Sequence, residues 1–305
     1  MVWVTPSLRG VEEITPAIWN QDVVENSIYL HNLLGGHNAV GGRLTAVSGT
    51  PLGDVEGAST LFFTPYIHDR VPTWDGNRWI VRQFTQVSMS LHGHDANRNY
   101  DVFLVWDGVN YSMTDVVWTN DTTRAVSFAR SGGMLVDSLH PDRLFLGTFR
   151  TRGDVATQTN DSPGFRMISN YFNRRPRPLS AVLANSAGTV SQTTAEIATG
   201  FRVHYVSCRT DNFLDISWMG SFYDSTSRAN NYQMRNNNEN IKAVIYLGDQ
   251  SGASSNHGAP VHLRYAGMAP LGWEYIKIYG SASASNSFKW QIYGTPTGTV
   301  GYIWG

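Results

Sequence analysis

Tyr100-Asp101-Val102-Phe103-Leu104-Val105-Trp106-Asp107-Gly108-Val109-Asn110-Tyr111-Ser112-Met113-Thr114-Asp115-Val116-Val117-Trp118 decides the fold class. Two runs rich in β-branched and aromatic residues flank Asp-Gly, the pair that supplies the positive φ angles of a tight hairpin. The spacing predicts strands over Tyr100–Trp106 and Tyr111–Trp118. Thirty-two residues earlier, Trp74-Asp75-Gly76-Asn77-Arg78-Trp79 repeats the pattern. Two instances suggest related hairpins and fall short of a repeat array.

Working outward, a period of two runs from Arg43 to about Arg175. It predicts further strands at Arg43–Val47, Thr60–Tyr66, Arg78–Phe84, Met134–Val136 and Arg143–Arg150. Arg174-Arg175-Pro176-Arg177-Pro178 then interrupts the pattern. Two prolines in three residues exclude a helix and a central strand, which marks a boundary. Beyond it, alternation resumes at Phe201/Val203/Tyr205, Ile241/Ala243/Ile245/Leu247 and Phe288/Trp290/Ile292. The expected class is mainly β: an N-terminal helix followed by two β-sandwich or barrel domains, the second jelly-roll-like. The expected division is 1–42 helical attachment segment, 43–173 β-rich module, 174–179 Arg/Pro linker and 180–305 sandwich tip.

The first segment differs in kind. Thr15 can cap a helix with Pro16 at its first position, Ile18, Val24 and Ile28 near one face, and Gly35-Gly36 at its end. Such a stripe is buried either on its own domain or in an attachment or trimerisation contact.

Composition narrows the function classes. The 305 residues carry 23 basic and 24 acidic side chains, only 15% charged, with a net charge of −1. That argues against nucleic-acid binding through bulk charge and against an acidic disordered tail. One cysteine excludes an internal disulfide framework. No apolar run reaches the roughly 20 residues of a membrane helix, so no membrane insertion is expected. Ten Trp, 14 Tyr and 29 Gly fit a β protein that covers surface against copies of itself.

Catalytic signatures are sparse. There is no G-x-S-x-G, Walker loop, G-x-G-x-x-G or H-E-x-x-H. Cys208 sits in an apolar strand pattern and reads as a buried thiol. His92, His94 and Asp95 could together hold a divalent ion, weighed against an exposed loop that holds none. Asp211 and Asp215 leave polysaccharide cleavage as an alternative, weighed against turn and cap roles. No catalytic residue and no cofactor are expected. Asn230–Asn240 holds six Asn in eleven residues and reads as a long turn or as a sugar-binding loop. On the second reading Asn236, Asn237 and Asn238 supply paired donors and acceptors and Tyr232 a stacking face. His257, in the Gly248–Gly258 run, adds a group that titrates near neutral pH.

Several stretches bear a family resemblance. Ile14-Thr15-Pro16-Ala17-Ile18-Trp19-Asn20-Gln21-Asp22-Val23-Val24-Glu25-Asn26 resembles the amino-terminal helix of tailed-bacteriophage virion proteins. Phe62–Tyr66, Tyr100–Phe103, Trp118–Ala125, Leu146–Thr151 and Asn170–Arg175 look like a β-rich module of fibre-like phage proteins. Gly272–Ile278 and Thr299–Trp304 are similar to the closing strands of jelly-roll tips. The resemblance implies a non-enzymatic virion protein: a homotrimeric fibre, tail-tip or head-projecting protein that binds host surface glycan. The alternative it implies is a capsid decoration or cement protein. Its partners would be copies of itself and other virion proteins of capsid or tail.

Overall fold

The structure is a computed structural model, described here for residues 40–183, 195–222, 230–237, 242–247, 259–282 and 297–305. The expected N-terminal helix, the Gly248–Gly258 run and the Phe288/Trp290/Ile292 alternation lie outside the described residues. Those described form strands throughout, with one 3-10 turn at Thr199–Phe201.

The first unit is built around the quoted hairpin. Strand β7 (Asn99–Trp106) pairs with β8 (Tyr111–Val117), and Asp107 Oδ1 accepts from the amides of Val109 and Asn110. The hairpin of β4 (Arg70–Trp74) and β5 (Trp79–Gln83) repeats this chemistry, with Asp75 Oδ1 accepting from Asn77 and Arg78. Gly76 and Gly108 both hold a positive φ, +99° and +104°. These backbone hydrogen bonds pull the Asp75 and Asp107 carboxyls below the usual range.

Next to β7 runs β11 (His140–Arg150), followed by β10 (Met134–Asp137) and β9 (Phe128–Ser131), with β14 (Ile168–Asn170) also on β11. A second sheet of β1 (Gly42–Thr45), β3 (Thr60–Pro65) and β6 (Val87–Ser90) supplies Leu44, Leu61 and Phe63 to the same core as Val102, Leu104 and Phe149. All seven strands expected between Arg43 and Arg150 are present.

The second unit has eight main strands. They are β15 (Pro176–Leu183), β17 (Val203–Ser207), β18 (Phe213–Phe222), β19 (Asn230–Asn236), β20 (Lys242–Leu247), β21 (Ala259–Met268), β22 (Gly272–Ala282) and β23 (Thr297–Trp304). One sheet has the order β15-β23-β18-β21 and the other β17-β22-β19-β20. Lettered B to I in chain order, these are B-I-D-G and C-H-E-F, the strand order of a jelly roll. Leu179, Leu214, Ile216, Trp218 and Ile303 of one sheet meet Val203, Tyr205, Met234, Ile276 and Ile278 of the other in one core. The short β16 (Ala195–Glu196) adds to β22.

Two expectations need correction. Residues 174–179 are not a linker. Pro176 opens β15, which pairs with β23 along its whole length. Proline is tolerated because β15 is the edge strand of its sheet. Arg177 between the prolines is 4% exposed and donates to Asp54 (2.9 Å) and Asp161 (3.1 Å).

Nor are the two units separated at that point. Strand β13 (Phe165–Arg166) pairs in parallel with β17 and, through β12 (Thr159–Ser162) and β2 (Val55–Ala58), extends the second unit's sheet into the first. Buried charge fastens the seam. Arg166 donates to Asp54 (2.5 Å) and Asp161 (3.3 Å), and buried Arg43 donates to the carbonyls of Asn173 (2.6 Å) and Gly305 (2.5 Å). Burial, then the neighbouring Arg177, pull Arg43 down to about 10, which leaves it charged at neutral pH.

Candidate functional site

The seam carries the candidate site. Where β13 lies beside β17, Phe165 is cross-strand partner to His204. Side chains i and i+2 share a sheet face, so Trp273 and Tyr275 of β22 come up beside His204. The Phe165 and His204 rings are parallel at 4.8 Å and 15°, and His204 stacks at 6.0 Å on Trp273. Tyr275 meets His204 at 5.2 Å and Trp273 at 5.4 Å.

The first unit completes the wall. Arg150 ends β11, 4% exposed, with its guanidinium 4.1 Å from the centre of the Trp273 ring. It donates to Asn99 Oδ1 (2.9 Å) and Asp121 Oδ1 (2.6 Å). The Trp273 amide donates to the Asp121 carbonyl at 2.9 Å. This approach requires Gly272. Its φ is +95°, and a Cβ there would lie 2.0 Å from the Asp121 oxygen.

Two cavities open here, of about 390 and 510 Å³. They share Asn97, Arg150 and Trp273, so they adjoin as one trough. Phe165, 38% exposed, lines the first beside Arg152 and Asp154. Arg152 holds Asp154 with two hydrogen bonds, 2.8 and 2.5 Å, which lower that carboxyl to about 2. Desolvation, then Arg202 and Arg150, drive His204 down to about 4, so its imidazole is neutral at neutral pH.

The residues singled out from the sequence are not brought together. Asn230–Asn236 forms strand β19, hydrogen-bonded between β22 and β20, instead of a loop. Tyr232 (1% exposed) and Asn236 (0%) point into the core beside Met234, so neither offers a face to a sugar. Asn237 is half-buried in the following turn. Asn238 and His257 lie outside the described residues.

The His92, His94, Asp95 triplet is spread as well. His94 Nε2 is 3.0 Å from Asp115 Oδ2, its Nδ1 is 3.0 Å from the Leu91 carbonyl, and its ring packs on Tyr100. Both ring nitrogens are thus engaged, while His92 and Asp95 are exposed. Among the described residues no three His, Cys, Asp or Glu side chains group to hold a metal ion. Asp211 and Asp215 are each held by two hydrogen bonds, from Arg209 and Arg264, which lower both carboxyls. Cys208 is buried, and burial raises its thiol. Among the described residues no helix is long and apolar enough to cross a membrane.

A second surface stands out. The outward positions of β15-β23-β18-β21 form four rows across the sheet: Pro176–Trp304 continued by Phe213–Met268, Pro178–Tyr302–Asp215–Ala266, Ser180–Val300–Ser217–Arg264 and Val182–Gly298–Met219–His262. Val182, Met219, Met268, Tyr302 and Trp304 on this face are 38–57% exposed. Its Arg264–Asp215 pair, which Tyr302 joins at 3.3 Å, is the charged feature at its centre.

No protein-family model and no curated protein sequence matches the chain. Solved structures similar to it include the infectious bursal disease virus VP2 subviral particle, at 12% identity. That match covers 87% of this chain and 68% of the other, with a TM-score of 0.32. A Bacillus thuringiensis Cry1Da tryptic core variant is 11% identical over 81% of this chain, TM-score 0.25. This chain spans about half, 48%, of that one. A structure of carbohydrate-binding modules from the β-sandwich superfamily is 8% identical, covering 86% of this chain and 94% of the other, TM-score 0.22. At these TM-scores none of the likenesses bears on function.

Proposed function

We propose that this chain is a non-catalytic structural protein of a virus particle, which acts by associating with copies of itself through the outer face of β15-β23-β18-β21. The carrying observation is that face. The outer side of an antiparallel sandwich sheet is ordinarily polar, whereas this one presents Val182, Met219, Met268, Tyr302 and Trp304. Pro176 and Pro178 blunt the β15 edge against strand addition, which leaves packing through the face. Four strands and four rows cover roughly 400 Å². A partner in a standard complex buries about 800 Å², so flanking surface joins the contact. Closed cyclic symmetry, a trimer on the sequence resemblance, buries such a face without open-ended growth. The jelly-roll order and the sparse charge support the same reading.

Sedimentation of the full chain tests it. The expected wild-type species is a closed oligomer of the 33.9 kDa subunit, and Met219→Glu with Met268→Glu yields the monomer. A wild type that stays monomeric at millimolar concentration overturns the association. Release of oligosaccharide from a bacterial capsular polysaccharide overturns the non-catalytic assignment.

A further inference from the structure

We infer that the trough at the seam binds a neutral oligosaccharide, with the free face of Phe165 as stacking platform and Asn97, Arg152 and Asp154 as polar rim. This goes beyond self-association and rests on different residues.

Shape comes first. The first cavity, of about 390 Å³, lies in the range of small-ligand sites, and beside it a shallow depression of about 510 Å³ opens to solvent. Their continuity past Arg150 and Trp273 suits a chain of sugar units better than a single compact molecule. Chemistry comes second. One face of Phe165 is taken by His204, yet the side chain stays 38% exposed at the wall of the trough. A sugar ring has an apolar face that packs on an aromatic ring and a rim of hydroxyls that both donate and accept. The trough sets donors and acceptors around its aromatic ring. Exposed Asn97 offers both from one amide, and the paired Arg152 and Asp154 offer one each.

Charge decides the ligand class. Glu56, Asp121 and Asp154 balance Arg98, Arg150 and Arg152 along the two cavities. His204 adds no charge at neutral pH. A phosphorylated or carboxylated ligand therefore gains nothing from the net field, whereas an uncharged glycan loses nothing. Binding stops short of cleavage. Asp154 is held low by its hydrogen bonds from Arg152, Asp121 is tied to Arg150 at 2.6 Å, and Glu56 accepts from Ser162 at 3.1 Å, so each trough carboxylate is already engaged.

The experiment titrates the full chain with cellotetraose, maltotetraose, chitotriose and lacto-N-tetraose, and with sialyllactose and tetragalacturonate as acidic comparators. Calorimetry reads binding, and the change in tryptophan emission that Trp273→Phe abolishes reports from the trough. At least one neutral sugar is expected to bind at millimolar concentration or tighter, ahead of both acidic probes and without being shortened. Phe165→Ala weakens it about tenfold, while Phe165→Tyr keeps it. An unchanged thermal midpoint shows that the Ala variant is folded. Met268→Glu, on the other sheet's outer face, leaves the titration unmoved even where it changes the oligomer, so the two proposals fail separately. Absence of binding by every neutral probe, preference for an acidic one, or indifference to Phe165→Ala overturns the site.

Discussion

The two sheets of the jelly roll share one core and differ in how their outer faces are finished. Outside β17-β22-β19-β20, cations lie over rings in a ladder. Arg202 sits 4.7 Å from the Tyr275 ring, Lys277 5.2 Å from Tyr279, and Arg235 4.8 Å from Tyr279. The ladder runs into Trp273 and the trough, where the first unit takes over. Outside β15-β23-β18-β21, methionine, valine, tyrosine and tryptophan stand with a single ion pair among them. One face is finished within the chain, while the other leaves its apolar side chains exposed. A cation over an aromatic ring is satisfied by the fold itself, and an exposed methionine is not.

The largest expected effect strikes the seam that finishes the first face. Asp161 is 6% exposed and lies between Arg166 (3.3 Å) and Arg177 (3.1 Å). Asp161→Ala leaves two buried guanidiniums with only the half-exposed Asp54 between them, at a cost of about 3–5 kcal/mol. Urea unfolding measures it. A loss below about 1 kcal/mol would mean that the seam is wetter than its burial indicates.

Next in size is the pH dependence of His204. Its folded value of about 4 lies below the ordinary 6.5, because burial disfavours the charged ring. Between those values the unfolded chain binds the extra proton, so stability rises with pH across this window. The contribution is complete above pH 6.5 and is lost as pH falls toward 4, up to about 3 kcal/mol in all. His204→Phe keeps a ring between Phe165 and Trp273 and removes the proton site. Wild type minus variant should therefore slope over this window, and unfolding midpoints taken across it read the slope. Parallel curves would place a solvated imidazole in the trough.

These effects mark where the sequence was legible. Strands such as β7 and β11 declare themselves through β-branched and aromatic runs, and the two Asp-Gly turns through identical side-chain-to-amide hydrogen bonds. Strand β19 hides because Gln233 and Arg235 face outward among asparagines, leaving Tyr232 and Met234 to carry the core signal. Strand β15 hides because its prolines read as a break, and only the sheet order reveals an edge that tolerates them. The trough has no local signature. Asn97, Arg150, Phe165, His204 and Trp273 come from five separate stretches that meet through a parallel pairing no spacing announces.

The smallest effect puts the comparison itself on a scale, because a tyrosine on each outer face can take the same substitution. Tyr275 carries Arg202 at 4.7 Å and Lys277 at 5.7 Å and touches His204. Tyr302 is 39% exposed, and its hydroxyl reaches Asp215 at 3.3 Å. Tyr275→Leu removes a ring already engaged and should cost about 1 kcal/mol. Tyr302→Leu, measured on the dissociated Met219→Glu/Met268→Glu background, should stay within about 0.5 kcal/mol. Arg202 also grips Glu196 with hydrogen bonds of 2.6 and 2.5 Å, so its single substitution mixes two interactions. A double-mutant cycle of Tyr275→Leu with Arg202→Met cancels the Glu196 contribution and isolates the ring contact, expected at about 0.5–1 kcal/mol. Additive losses would reduce the ladder to close packing, and the contrast between the faces would then rest on exposed apolar area alone.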